Sequence, residues 1–150
     1  MANSRRREIT NYIKDQLSLI NGQTSTLDPL YKYSKNLFGN VFRRVKFIDE
    51  INDFPSIYLQ AGTENRIYQS YTLVEAKLEI VIRTYVKSPT PAEDLESLTQ
   101  DIEHVIYNIP SNLDIGIIDI TIDNISNDEG LLAPFGIGEI FITVHYELED

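Results

Sequence analysis

The sequence has no cysteine and no tryptophan, one methionine and two histidines. Without thiols there are no disulfides, no thiolate zinc sites and no thiol nucleophiles. No apolar run approaches the ~18 residues that a membrane-spanning helix needs. Positive charge is missing from a whole stretch: all thirteen lysines and arginines lie at or before Lys87. Thirteen cations against nine carboxylates leave residues 1–87 at +4. Fourteen carboxylates and no cation leave residues 88–150 at −14. The total of −10 argues against bulk affinity for DNA, whose phosphates repel an acidic surface. The split points to partners of opposite sign on different faces, unless strands from both halves interleave. Arg5-Arg6-Arg7 is followed by Glu8, Asn11, Lys14 and Asp15, so this segment does not read as a signal peptide.

What is present fits one folded domain over residues 1–150. The hydrophobic share of 42% is ordinary, and a chain this long can hide about two-thirds of its surface. Residues 4–20 predict an amphipathic helix, with Ile9, Tyr12, Ile13, Leu17 and Ile20 on one face. Asn3 or Ser4 can cap it, and Asn21-Gly22 can end it. Residues 23–40 show no period and read as a long loop, functional or disordered. Short strands are expected at 41–47 and at Ile57-Tyr58-Leu59, with turn chemistry at residues 61–65.

From Tyr71 to Lys87 the sequence alternates, with Val74, Ala76, Leu78, Ile80 and Ile82 among the even positions. The odd ones carry Glu75, Lys77, Glu79, Arg83 and Tyr85. Period two gives one dry and one wet face. At ~3.3 Å per residue such a strand reaches ~56 Å, far beyond the usual ~20 Å, so its hairpin end near residues 60–72 is expected to project. Ser88-Pro89 breaks it. Thr90-Pro91-Ala92-Glu93 then reads as a capping box opening a helix striped by Leu95, Leu98, Ile102, Val105, Ile106 and Ile109. Strands around residues 118–123 and 140–148 follow, joined by an apolar loop holding Leu131, Leu132, Pro134 and Phe135. The expected fold is α+β: a mixed, largely antiparallel sheet of about five strands, two helices on one face, order α-β-β-β-α-β-β.

Motifs for chemistry are sparse. Glu75-Ala76-Lys77 matches the E-x-K half of a magnesium nuclease site, needing an upstream acid such as Asp53 or Glu64. The competing reading is a wet strand face with paired charges. Asp119, Asp123, Asp128 and Glu129 offer oxygens for a hard cation, but Ile125 breaks the EF-hand pattern and solvated acids explain them as well. His104 and His145 fall in no recognisable triad order, and Gly136-Ile137-Gly138 lacks the rest of a phosphate loop. The expectation is no enzyme, no cofactor and no metal. Arg5, Arg6 and Arg7 at a helix start oppose the dipole, which fits a frayed end or docking onto an acidic partner. Arg43, Arg44, Arg66 and Tyr68 are of the types enriched where proteins bury each other.

One succession of segments resembles a known family. Phe54-Pro55-Ser56-Ile57-Tyr58-Leu59, Arg66-Ile67-Tyr68, Leu78 to Tyr85, Leu95 to Glu103 and the closing His145-Tyr146 are similar to the tail terminator (tail completion) proteins of long-tailed bacteriophages. The resemblance runs over residues 5–148 and rests on patterns of strand and helix. It implies a homo-oligomeric ring, usually a hexamer, at the tail–neck junction of the virion, assembled in the host cytoplasm. Such a ring stops tail tube polymerisation and meets a neck or head-completion protein. Genomic DNA passes through its lumen without specific binding, and no membrane or cofactor is involved. Interface residues expected on this reading are Arg5, Arg6, Arg7, Arg43, Arg44, Arg66, Tyr68, Leu131, Leu132 and Phe135. The alternatives are another neck connector, a monomeric adaptor, or the nuclease using Glu75 and Lys77.

Overall fold

A computed structural model describes residues 5–44, 50–70, 72–109 and 115–149. The elements run α1 (Arg5–Leu17), β1 (Val41–Phe42), β2 (Ser56–Tyr68), β3 (Leu73–Lys87), α2 (Pro91–Asn108), β4 (Ile117–Asn127) and β5 (Phe135–Glu149). They form one five-stranded sheet in the order β1-β2-β3-β5-β4. β1 joins β2 in parallel, and every other neighbour pair is antiparallel. The architecture is the expected α+β one, with the expected order of elements.

The alternation in β3 decides which face is dry. Val74, Ala76, Leu78, Ile80 and Ile82 are buried, and the last four share one core with Ile9, Ile13 and Leu17 of α1 and Leu95, Leu98, Ile102 and Val105 of α2. Both helices therefore cover the same side. β3 is unbroken over 15 residues, and β5 pairs with its full length. The opposite, open side is wet for most of its length but dry at one end. There Tyr58 and Tyr85 meet edge to face at 5.5 Å, beneath Ile51 and Phe54. Tyr85, expected on the wet face, is buried because this short apolar segment folds over it. Burial also raises the phenol pKa of both tyrosines.

Several boundaries differ from expectation. β2 continues to Tyr68, and the residues expected to turn at 61–65 form a bulge within it. Ala61 faces Ile80 and Glu64 faces Leu78, so β2 spends three residues where β3 spends two. β1 is two residues long, and Val45 to Phe47 of the expected strand lie outside the described residues, as do the cap candidates Asn3 and Ser4. The capping box of α2 does not form. Thr90 makes no side-chain cap, and its own N–H donates to Ser88 Oγ at 3.0 Å.

Gly116 sets the start of β4. Its φ is +79°, and a β-carbon there would stand 2.5 Å from the Glu147 carbonyl oxygen. Left-handed backbone and a backbone clash act together, so Gly116→Ala is expected to cost about 2 kcal/mol. Chemical denaturation of the purified variant checks this: an unchanged midpoint would mean that the turn relaxes freely.

Candidate functional site

The segment expected to be a loose loop is ordered by α2. Asp101 is fully buried, and its Oδ1 accepts the Tyr31 hydroxyl at 2.7 Å and the Ser34 N–H at 2.9 Å. Its Oδ2 accepts the Lys35 N–H at 2.8 Å. His104, three residues on, stacks on the Tyr31 ring at 3.9 Å and bonds Ser25 Oγ at 2.8 Å. Lys35 pairs with Asp94 at 2.9 Å. Burial, then the bond to Asp101, pushes the Tyr31 phenol up. Partial burial works to raise the Asp94 carboxyl, but Ser88 and Lys35 outweigh it and hold the group below its usual range. Tyr33 and Leu37 are consequently core residues, whereas Leu30 and Phe38 remain exposed.

At the hairpin end, the β2 bulge turns Glu64 toward the helix side. Only 6% of its side chain is exposed, Arg66 Nε donates to it at 2.6 Å, and the buried Tyr146 hydroxyl donates to its other oxygen. Burial and then Glu64 raise the Tyr146 phenol pKa. Arg66 is thus tied within the chain, while Tyr68 and Ile67 beyond it are largely exposed.

The other interface candidates fall in two groups. Arg5 pairs with Glu8 at 3.4 Å, Arg6 donates to the Gly62 carbonyl at 2.7 Å, and Arg43 donates to Asn11 at 2.9 Å. Arg7 is exposed, and Arg44 lies 5.8 Å from the Phe42 ring centre. Arg6, Arg7 and Arg43 line a recess of about 210 Å³ beside Gln60 and Ala61 of β2. Leu131 is 86% exposed and Leu132 46%, on the turn before β5. Phe135 is half-buried against Phe54 and Lys87.

The open side of the sheet carries Glu75, Glu79, Asp119, Asp123, Glu139 and Glu147 against Lys77 and Arg83. His145 stands 3.6 Å from Glu75, and Arg83 3.7 Å from Glu139. Thr121 and Thr143 both donate to Asp123. The nuclease constellation is not assembled. Glu64 faces the opposite side of the sheet from Glu75 and Lys77, and Asp53 lies by Tyr58, at the other end. No group of three or more potential ligands forms a metal site among the described residues. Sequence reasoning missed Asp101, His104 and Glu64 as organisers of the fold. The readable signal for Asp101 was an acid on the apolar stripe, three residues after Leu98 and one before Ile102.

What the chain offers is two sheet edges, two ends with bare apolar side chains, and charged flanks. These are the attributes of a protein that works by contact with other proteins. The family model described as Bacteriophage Tail Tube Terminator Protein matches residues 3–150, and the chain belongs to that family. It is 37% identical over 128 residues to the tail tube terminator protein p142 of Escherichia phage T5, covering 77% of this chain and 80% of that protein. A chain from the virion of a native gene transfer agent (GTA) particle superposes with a TM-score of 0.49 at 13% identity, over 74% of this chain and 81% of that one.

Proposed function

We propose that this protein assembles as a ring on the end of the phage tail tube. There it terminates tube growth and presents its far side to the neck or head-completion protein. The observation that carries this is that most exposed large apolar side chains among the described residues gather toward opposite ends of the sheet, with Ile125 and Phe141 between them. Phe38, Leu131 and Leu132 stand at the end where β2 starts, and Ile67, Tyr68 and Tyr107 toward the hairpin end. The fifteen residues of β3 separate the two groups by about 50 Å. A terminator needs two such surfaces, because one must cover the polymerising face of the tube and the other must receive a different protein. Exposed aromatic and large aliphatic groups in patches are what protein partners bury. The basic first half and acidic second half of the chain suit a ring, in which one patch of each copy meets a different patch of the next. The acidic open side of the sheet suits a lumen through which DNA slides without binding.

Adding the purified protein to polymerising tail tube protein tests the reading. Electron microscopy is expected to show shorter tubes with a density closing one end. Tubes that grow to the same length with bare ends would refute it. Leu131→Asp with Leu132→Asp, and separately Ile67→Asp with Tyr68→Asp, are expected to divide the activities: one pair abolishes capping and the other abolishes neck attachment.

A further inference from the structure

Both lateral edges of the sheet lack a covering strand among the described residues. β1 reaches only Ile57 and Tyr58 of β2, and no described strand pairs with the outer side of β4. Monomeric proteins protect such edges with lysine, proline or bulges, because an open edge recruits another strand. β4 contains neither lysine nor proline. β2 has one bulge, at Ala61/Glu64, and β4 has two, at Ile117/Asp119 and Ile122/Asn124. The regular stretches they leave are Glu64–Tyr68, toward the hairpin end, and Asp119–Ile122, between the two bulges.

These stretches overlap in height. One row across the sheet reads Asn65, Lys77, His145, Asp119, and the next reads Glu64, Leu78, Val144, Ile120. The direction also fits. Three antiparallel steps separate β2 from β4, so the two edges run oppositely. Rotation about an axis parallel to the strands preserves strand direction and height. It therefore brings β4 of one copy antiparallel against β2 of the next, with facing stretches in line. Charge fits as well. The β2 side carries Arg6, Arg7 and Arg43, and the β4 side carries Asp119 and Asp123 in a half of the chain with no cation.

We infer that copies of this chain join edge to edge: Glu64–Tyr68 of one subunit adds as an antiparallel strand to β4 of its neighbour around Asp119–Ile122, giving one continuous sheet around the ring. This rests on the ring reading above. Main-chain hydrogen bonds supply the adhesion, as in strand addition generally, and the arginine and aspartate flanks set the order of the copies. The helices then all lie on one side of the wall and the acidic sheet faces all on the other.

Cross-linking tests it, since the chain has no cysteine of its own. Asn65→Cys and Asp119→Cys, both exposed, are made singly and together in the full-length protein, with Thr121→Cys as a second β4 position two residues along. Each is treated with a short bismaleimide in the presence of tail tubes. The double variants are expected to give a ladder of covalent multimers on a denaturing gel, and the single variants none. Capped tubes without any ladder would overturn the edge contact and leave the terminator role standing. Dimers from a single variant would also overturn it, because like would then be meeting like. Failure of the unaltered protein to assemble or cap at all would instead remove the ring reading and this proposal with it. Arg7→Glu is expected to lower the assembled fraction roughly tenfold, and Asp119→Lys with Asp123→Lys to restore it. No recovery in the combined variant would remove the charge argument.

Discussion

Tyr146→Ala is expected to destabilise the protein by about 4 kcal/mol, the largest effect of any single truncation considered. Tyr146 is fully buried and sits between Ala76 of β3 and Ile117 of β4, where the small Ala76 side chain leaves its ring space. Removing the ring opens a cavity at the junction of three strands. It also strips the nearly buried Glu64 carboxylate of a donor. Tyr146→Phe separates the two contributions. The ring stays and only the hydroxyl leaves, so the loss falls to about 1–2 kcal/mol, the range for an acceptor deprived of one bond while Arg66 still serves it. Urea unfolding of the two variants beside the parent measures both numbers. Equal losses would mean that packing contributes little here. The Phe variant also speaks to assembly, because Glu64 begins the stretch of β2 proposed to join a neighbour. Its cross-linking yield should fall by more than its modest stability loss explains.

Asp101→Ala is expected to cost about 3 kcal/mol, through a different mechanism. No large cavity forms, but the Tyr31 hydroxyl and the N–H groups of Ser34 and Lys35 lose their acceptor together. For a chain of this length the melting temperature should drop by roughly 6–12 °C. Asp101→Asn should not rescue it. One carboxamide oxygen can keep Tyr31 and Ser34, but the amide nitrogen then points a donor at the Lys35 N–H. Hydrogen exchange is the sharper measurement. Residues 23–40 should exchange faster in both variants while β3 and β5 stay protected. Uniform acceleration across the sheet would show that this segment is part of the central cooperative unit, not a flap latched onto it.

How much of this was readable depends on whether a residue's role is set by its neighbours in sequence. β3 and α2 were legible because their burial follows simple periods: every second residue in one, every third or fourth in the other. β2 was not, because its bulge breaks the alternation and Gly62-Thr63 supplies turn chemistry inside a strand. The start of β5 was hidden by Gly136 and Gly138. Their missing side chains make room for Leu95, and at Gly138 also for Thr84 Oγ1, so their reason lies in α2 and β3. Residues 23–40 carry no period because their order comes from isolated bridges and turns of their own and from single bonds to Asp101, about seventy positions away. The interface candidates were legible as residue types. Their grouping beside one edge and at the ends of the sheet needed the fold.

The extra residue in β2 acts as a phase shifter. Upstream of it, odd-numbered side chains point to the helices, and downstream even-numbered ones do. Deleting Gly62 alone would straighten the strand, set Thr63 against Glu79 and keep Glu64 opposite Leu78. Elsewhere in β2 a one-residue loss turns the side chains beyond it to the other face. The bulge is thus where β2 tolerates a one-codon loss with its chemistry intact.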